Sequence, residues 1–240
     1  MHLEDFARAN EEKLRANSYP GRGIIIGQSP DEKHYIQVYW IMGRSENSKN
    51  RVFDMLENGF VRTKVFDERK VTDPSLIIYF PVKHVNGVHI VSNGDQTDTI
   101  EEFIKCGKSF MEALETRTFE PDSPNFTPRI SGIIETEKRR YALSILKSLN
   151  NNPDYCQRYF YFYDRFVPGF GHFICTYNGD GNPLPSFTGE PEVVRMFNNI
   201  DEVAEYYWDT INMDNKVSLL VKFINAEDNS FKIRIMNKNR

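Results

Sequence analysis

Between Gly43 and Arg51 the chain sets two guanidinium groups, Arg44 and Arg51, seven positions apart, with hydroxyls at Ser45 and Ser48 and carboxamides at Asn47 and Asn50 between them. Fixed positive charges interleaved with short hydrogen-bonding side chains are suited to reading phosphate. The segment directly follows the strand-like run Tyr35–Met42, so the donors begin where a rigid element ends, a common place for a site. The plainer reading is a solvated charged loop.

Other segments could act with it. In Gly21-Arg22-Gly23 the glycines allow backbone to approach a ligand and Arg22 could reach an anion, although a simple turn explains the wording as well. From Thr118 to Arg129 three prolines stiffen a polar segment that carries Glu120, Asp122, Asn125 and Arg129. Groups held still are what catalysis by positioning needs: Glu120 could serve as a general base while Asn125 or Arg129 binds an oxyanion. A Pro-rich connection with solvated acids is the alternative. The run Val91–Asp98, with Asn93 and Gly94 at its centre, joins a strand to a helix start, where free N–H groups suit an anion or a polar heterocycle. His172 has no second histidine at ligand spacing and reads as a structural residue. The alternating aromatics of Arg158–Tyr163 are those of a half-buried strand rather than a base-stacking platform.

Composition narrows the field. The 240 residues can bury one sizeable core and read as a single domain, 1–240. With 30 Lys and Arg against 34 Asp and Glu, the net charge of -4 argues against broad binding of nucleic acid or an anionic membrane, so any anion site must be local. Three widely spaced cysteines without a C-x-x-C pair point to a reduced, cytoplasmic chain without a zinc site. The acidic N-terminal segment does not resemble a signal peptide, and no apolar run approaches membrane-spanning length. The sequon Asn125-Phe126-Thr127 is then a coincidence of spelling.

The elements that must position these groups follow from periodicity. An amphipathic helix is expected over residues 3–16, and a hairpin joins Ile24–Ile26 to Tyr35–Met42. Strands are expected at 51–54, 60–66, 76–82 and 87–92. A helix capped by Thr97 or Asp98 should run to about 106, and another near 109–115. Further strands fall at Ile130–Thr136, Tyr141–Lys147, Tyr155–Tyr163 and Gly171–Tyr177. A helix at Asp201–Ile211 precedes a last hairpin, Val217–Ile224 with Phe231–Met236. Roughly ten strands in consecutive runs, with three or four helices, make the fold α+β. Stacking two sheets under outer helices, a four-layer sandwich, would bury them best.

The wording of several segments resembles the archaeal-type IMP cyclohydrolase family, in its longer bacterial form. The resemblance rests on Tyr19-Pro20-Gly21-Arg22-Gly23, Gly43-Arg44-Ser45 with Asn50-Arg51, Ser92-Asn93-Gly94 through Thr97, and Asn125 with Thr127-Pro128-Arg129-Ile130. For the longer form it adds Gly171-His172, Thr176-Tyr177 and Gly179–Phe187. It covers about residues 19–191.

This resemblance implies an αββα sandwich like that of the N-terminal-nucleophile hydrolases, without the nucleophile, since the chain starts Met1-His2 inside a helix. It implies closure of 5-formamido-imidazole-4-carboxamide ribonucleotide (FAICAR) to IMP with loss of water, the last step of purine-ring construction. The partner is a small purine ribonucleotide. An intramolecular closure needs a held conformation, a proton acceptor and charge stabilisation, with no metal or other cofactor. Arg44 and Arg51 would clamp the phosphate with Ser45 and Asn50 alongside, and Arg22 is a third candidate. Tyr79 matches a family tyrosine at the reacting formyl group, and Glu120 the family's acid, which would take the proton from the carboxamide nitrogen. Arg129 and Asn125 would orient that group or stabilise the oxyanion. Two features depart from the compact members: four residues separate Ser45 from Asn50 where they carry two, and the long region 169–191 is additional. A non-catalytic nucleotide-binding protein of the same fold is the rival reading, and an amide hydrolase using Ser45 is a third. Exposed strand edges make a homo-oligomer reasonable.

Overall fold

The computed structural model describes residues 2–70 and 78–239. In chain order the elements are α1 (Leu3–Ala16), β1 (Gly23–Gln28), β2 (His34–Met42), a one-turn helix α2 (Glu46–Lys49), β3 (Arg51–Met55), β4 (Val61–Val65), a 3-10 turn (Glu68–Lys70), β5 (Val82–Val85), β6 (Val88–Ser92), α3 (Gln96–Lys105), α4 (Phe110–Glu115), β7 (Arg129–Glu135), β8 (Arg140–Leu149), β9 (Asn152–Tyr163), β10 (Phe170–Cys175), β11 (Glu192–Arg195), α5 (Ile200–Thr210), β12 (Lys216–Asn225) and β13 (Phe231–Asn237). The fold is α+β.

The described strands form two antiparallel sheets. One has six strands in the order β11-β10-β1-β2-β12-β13, and the other has seven in the order β3-β4-β5-β6-β7-β8-β9. The main hydrophobic core lies between them, drawing Ile24, Tyr39 and Leu220 from the first and Phe53, Val91, Ile130 and Leu143 from the second. Strands β1, β2 and β12 are buried on both faces, which is why Ile24-Ile25-Ile26 and Tyr35–Met42 are continuous apolar runs rather than alternating ones. Helices α1 and α5 contact the six-stranded sheet and α3 the seven-stranded one. A second, smaller core under α3 and α4 joins Ile100, Phe110 and Leu114 to Ile90, Ile133 and Leu146. Buried Glu11 on α1 binds the Arg195 guanidinium of β11 at 2.5 Å and accepts from the Tyr206 hydroxyl of α5 at 2.6 Å, fastening three elements with one carboxylate.

Most elements stand where periodicity sets them, with four differences. The expected strand at 76–82 has residues 76 and 77 outside the described residues, and pairing begins only at Val82. Helix α3 starts at Gln96 and its N-cap position is Asp95, not Thr97 or Asp98. Asp95 instead meets Arg129 and Arg117, while Asp98 pairs with Lys83 at 2.7 Å. Residues 46–49 wind into a helical turn capped by the Ser45 hydroxyl. Strand β11 is short and charged at its ends, so it lacks the apolar pattern of a strand; the Glu11 carboxylate holds it from outside.

Candidate functional site

At the end of the sandwich where β1, β3 and β7 begin and β2 and β6 finish, ionisable side chains from five segments converge. Arg22 precedes β1, Tyr39 lies near the end of β2, Arg51 opens β3, Tyr79 precedes β5, and Glu120 precedes β7. Each is anchored by its backbone. The Arg22 carbonyl accepts from the Thr176 N–H at 3.0 Å and the Arg22 N–H donates to Thr176 Oγ1 at 3.1 Å. Tyr79 and Thr63 exchange two hydrogen bonds, of 2.9 Å each, to backbone and hydroxyl. The Glu120 N–H donates to the Thr127 carbonyl at 2.9 Å.

Arg51 is 1 % exposed. Its Nε donates to the Ser48 carbonyl at 2.9 Å and its Nη2 to the Met42 carbonyl at 3.3 Å, but buried Nη1 has no partner. No carboxylate among the described residues lies within ion-pair distance. Burial, and then the neighbouring charge of Arg22, push its pKa down. Arg22 is half-buried with its Nε unpartnered; burial works against its charge, yet the Glu120 carboxylate and the phenols of Tyr177, Tyr19 and Tyr79 hold its pKa above the usual value. Two neighbouring cations, each with an unpartnered buried N–H and neither in an ion pair among the described residues, could together receive an anion.

Glu120 is 3 % exposed and accepts no hydrogen bond from any described side chain. Burial pushes its pKa up to about 7, against the pull of Arg22, Arg129 and Arg51 and with help from Asp122. A carboxylate balanced near neutrality can take a proton and return it. Tyr39 and Tyr79 share a hydrogen bond of 2.7 Å. Burial raises both phenols, while Arg51 and Arg22 restrain the rise at Tyr79.

A second hydrogen-bonded chain stiffens the segment after Glu120. Thr127 donates from its N–H and its hydroxyl to the two oxygens of Asp122, at 2.6 and 2.5 Å. Having spent its one proton, Thr127 Oγ1 must accept from the Tyr177 hydroxyl, 2.5 Å away. Tyr177 stacks on Tyr19 at 6.0 Å. Gly21, at φ +73°, makes room for this arrangement: a Cβ there would stand 2.2 Å from Thr176 Oγ1 and 2.6 Å from the Tyr177 ring.

The remaining candidates from the sequence take up several positions. Arg44 is at the surface, 5.2 Å over the Tyr19 ring, and its Nη1 donates to Asp180 at 2.5 Å and to the Gly181 carbonyl at 2.9 Å. It therefore leans toward the long 178–187 loop, and with Asn50 it also lines a cleft of about 250 Å³ beside Lys49 and Lys70. Ser45 caps α2, and no base contacts its hydroxyl. Asn50 clamps the backbone of Asp67 through two bonds of 2.7 Å. Asn93 spans the Pro128 carbonyl and the Ile130 N–H, each at 2.9 Å. Arg129 Nη1 donates to Asp95 and Gln96, each at 2.6 Å, and Gly94 lets it do so, since a Cβ at Gly94 would fall 2.5 Å from that nitrogen and 3.6 Å from Glu120 Oε1. Asn125 accepts from the Leu184 N–H at 3.0 Å, tying the proline-stiffened segment to the long loop. Thus Arg22, Arg51, Tyr79, Glu120, Gly94 and Arg129 come together, whereas Ser45, Asn50 and Asn93 shape backbone around them.

A family model described as IMP cyclohydrolase-like protein matches residues 19–229. The chain belongs to the IMP cyclohydrolase-like family. IMP cyclohydrolases of Methanococcus maripaludis are 32% identical over 120 residues in strain C7, 48% of this chain and 58% of the relative, and 32% over 124 residues in strain S2, 50% and 60% respectively. The IMP cyclohydrolase of Methanosphaera stadtmanae is 30% identical over 127 residues, 51% of this chain and 61% of the relative. The matched stretch thus spans about three-fifths of those IMP cyclohydrolases.

Membership of the IMP cyclohydrolase-like family gives the cluster a chemical context that its residues could not supply alone. Tyr39, Tyr177, Thr127 and Asp122 belong to the cluster and were not singled out for a role by residue type. Tyr39 reads as one more aromatic of a buried strand, and only its position near the strand end hints otherwise. Among the described residues no three His, Cys, Asp or Glu side chains could together hold a metal ion, and no helix is long and apolar enough to cross a membrane.

Proposed function

We propose that the chain is an IMP cyclohydrolase that closes FAICAR to IMP with loss of water. The observation that carries this reading is the juxtaposition of Glu120, buried and poised at about pH 7, with Arg22 and with Arg51, a buried cation lacking a carboxylate partner among the described residues. One group suits proton transfer and the other two suit an anionic nucleotide, and ring closure of a phosphorylated substrate needs both.

Arg51 and Arg22 receive the 5′-phosphate, Arg44 meeting it from the rim after leaving Asp180. The carboxamide nitrogen attacks the formyl carbon, forming the new C–N bond as Glu120 accepts the N–H proton. The C=O bond of the formyl group opens as the carbon becomes tetrahedral, and its oxygen takes the phenolic proton of Tyr79 to become a hydroxyl, with Arg129 near Glu120 opposing negative charge as it develops. Glu120 then returns its proton to that hydroxyl, the C–O bond breaks and water leaves, while the N–H proton of the former formamide nitrogen returns to the Tyr79 oxygen and the ring double bond forms. No net proton is consumed, so one carboxyl of intermediate pKa suffices.

The two stacked antiparallel sheets, with α1 and α5 against one and α3 against the other, support reading the fold as an αββα sandwich like that of the N-terminal-nucleophile hydrolases. A cytoplasmic location accords with three unpaired cysteines. The reading is tested by supplying FAICAR to the purified chain and following IMP formation by absorbance. Conversion that disappears in Glu120→Gln supports it, and no conversion by the unaltered chain refutes it.

A further inference from the structure

Away from the proposed nucleotide site a second polar cluster is buried between the two sheets. Lys222 on β12 is 0 % exposed and its Nζ has no hydrogen-bond partner. Its direct cross-strand neighbour is Gln37 on β2, also 0 % exposed, whose Nε2 donates to the His89 carbonyl while its Oε1 is unpaired. Across the core, His89 on β6 faces His84 on β5 in register, their rings 5.7 Å apart, and both Nδ1 atoms are buried and unpartnered. Four buried polar atoms without partners thus fall in one side-chain cluster, where an occupant could satisfy them.

We propose that Lys222 and the two imidazoles form a chamber that binds a small monovalent anion, of the size of formate or chloride. The groups select its charge. No carboxylate among the described residues pairs with Lys222, and the ammonium repels a metal cation that two histidines might otherwise attract. Gln37 Oε1 can take one ammonium hydrogen, leaving two to donate, and each imidazole can present an Nδ1–H. Water would fill the hydrogen bonds and leave the charge uncompensated, whereas an anion does both.

Access is through Phe231. Its ring lies 4.1 Å from Lys222 Nζ and meets His84 edge-on at 4.9 Å and His89 at 6.0 Å. On its other side a cavity of about 720 Å³, walled by His84, Gly59, Lys232 and Arg234, opens beside the β3–β4 turn. Turning that ring would open a path from the cavity to Lys222.

The charged and titratable groups facing the chamber are Lys222, His84 and His89, with Glu101 of α3 acting on His84, and Glu57, Lys232 and Arg234 at the cavity. Burial, then Lys222, keeps both imidazoles below their usual pKa, and burial lowers Lys222 to about 7. Binding an anion therefore takes up a proton at Lys222, so affinity falls as pH rises through neutrality.

The test uses crystals of the full chain soaked in sodium bromide, with thermal melts in sodium formate against sodium gluconate, an anion too large for the chamber. An anomalous bromide peak beside Lys222 Nζ is expected, with a Tm that climbs with formate at pH 6.5, climbs less at pH 8.5 and is flat in Lys222→Met. Water alone beside Lys222, bromide only at surface sites, or an equal formate response in Lys222→Met would overturn the proposal. Should Lys222→Met fail to fold, the anomalous map of the unaltered chain decides.

Discussion

The hydroxyls of Tyr39 and Tyr79 lie 2.7 Å apart, a hydrogen bond between strand β2 of one sheet and the segment that leads into β5 of the other. Tyr39 is fully buried and has no other hydrogen-bond partner among the described residues, so it fixes where the Tyr79 oxygen stands. If Tyr39 donates, the Tyr79 proton is free for the substrate oxygen.

Tyr39→Phe should therefore reduce kcat about tenfold with KM little changed, and should cost about 1 kcal/mol of stability. Steady-state kinetics and thermal melts check both. An unchanged kcat would remove Tyr39 from a positioning role.

In the proposed mechanism Glu120 governs the pH dependence. Acting as a base, it should make kcat/KM of the free enzyme rise about tenfold per pH unit below about 7 and level off above. Its folded pKa is raised, so the folded state holds a proton that the unfolded chain has lost, and stability falls as pH rises from the ordinary carboxyl range to about 7. Glu120→Gln removes that penalty and should be more stable than the unaltered chain at pH 8 by roughly 2–4 kcal/mol, with no such gain at pH 4. Urea titrations at the two pH values measure the difference.

Arg51 is a buried cation without a carboxylate partner among the described residues; if it binds the phosphate as proposed, Arg51→Met should raise KM by about 10- to 100-fold, the loss of one charged hydrogen bond, while thermal stability holds or improves. A large fall in stability with KM unchanged would make Arg51 structural instead.

Arg44 is held by Asp180, in a pair whose side chains are 39% and 50% exposed. Asp180→Ala should leave Tm within about 1 °C, because such surface pairs contribute little, and should lower KM about two- to fivefold by freeing Arg44. A raised KM would assign Asp180 itself to substrate binding.

Gly94→Ala places a methyl 2.5 Å from Arg129 Nη1 and 2.6 Å from Gln96 Oε1. Displacing that pinned guanidinium should cost at least tenfold in kcat, with about 1–2 kcal/mol of stability. Kinetics alongside a urea melt separate the two losses.

Much of the fold was legible because central strands such as β1 and β12 are long and apolar, and helices α1 and α5 repeat every three to four residues. Strand β11 was not, since its stability comes from Glu11, some 180 residues away. At the site, residue type drew attention to Arg51, Arg22 and Glu120, which the fold brings together, whereas spacing along the chain did not indicate where Arg44 points. Seven positions from Arg51, it turns instead toward Asp180 because α2 winds between them. The roles of Asn93 and Asn50, which bind backbone across turns, and of Tyr39, set by a partner forty residues on, depend on which strands become neighbours. Local sequence does not carry that information.

The most direct test compares the unaltered chain and Glu120→Gln in one pair of measurements: IMP formation from FAICAR by absorbance, and IMP binding by titration calorimetry. The account predicts turnover in the unaltered chain, a loss of at least a hundredfold in Glu120→Gln, and IMP affinity in the variant within a few-fold of the original. IMP binding without turnover in the unaltered chain, or turnover that survives in Glu120→Gln, would contradict it.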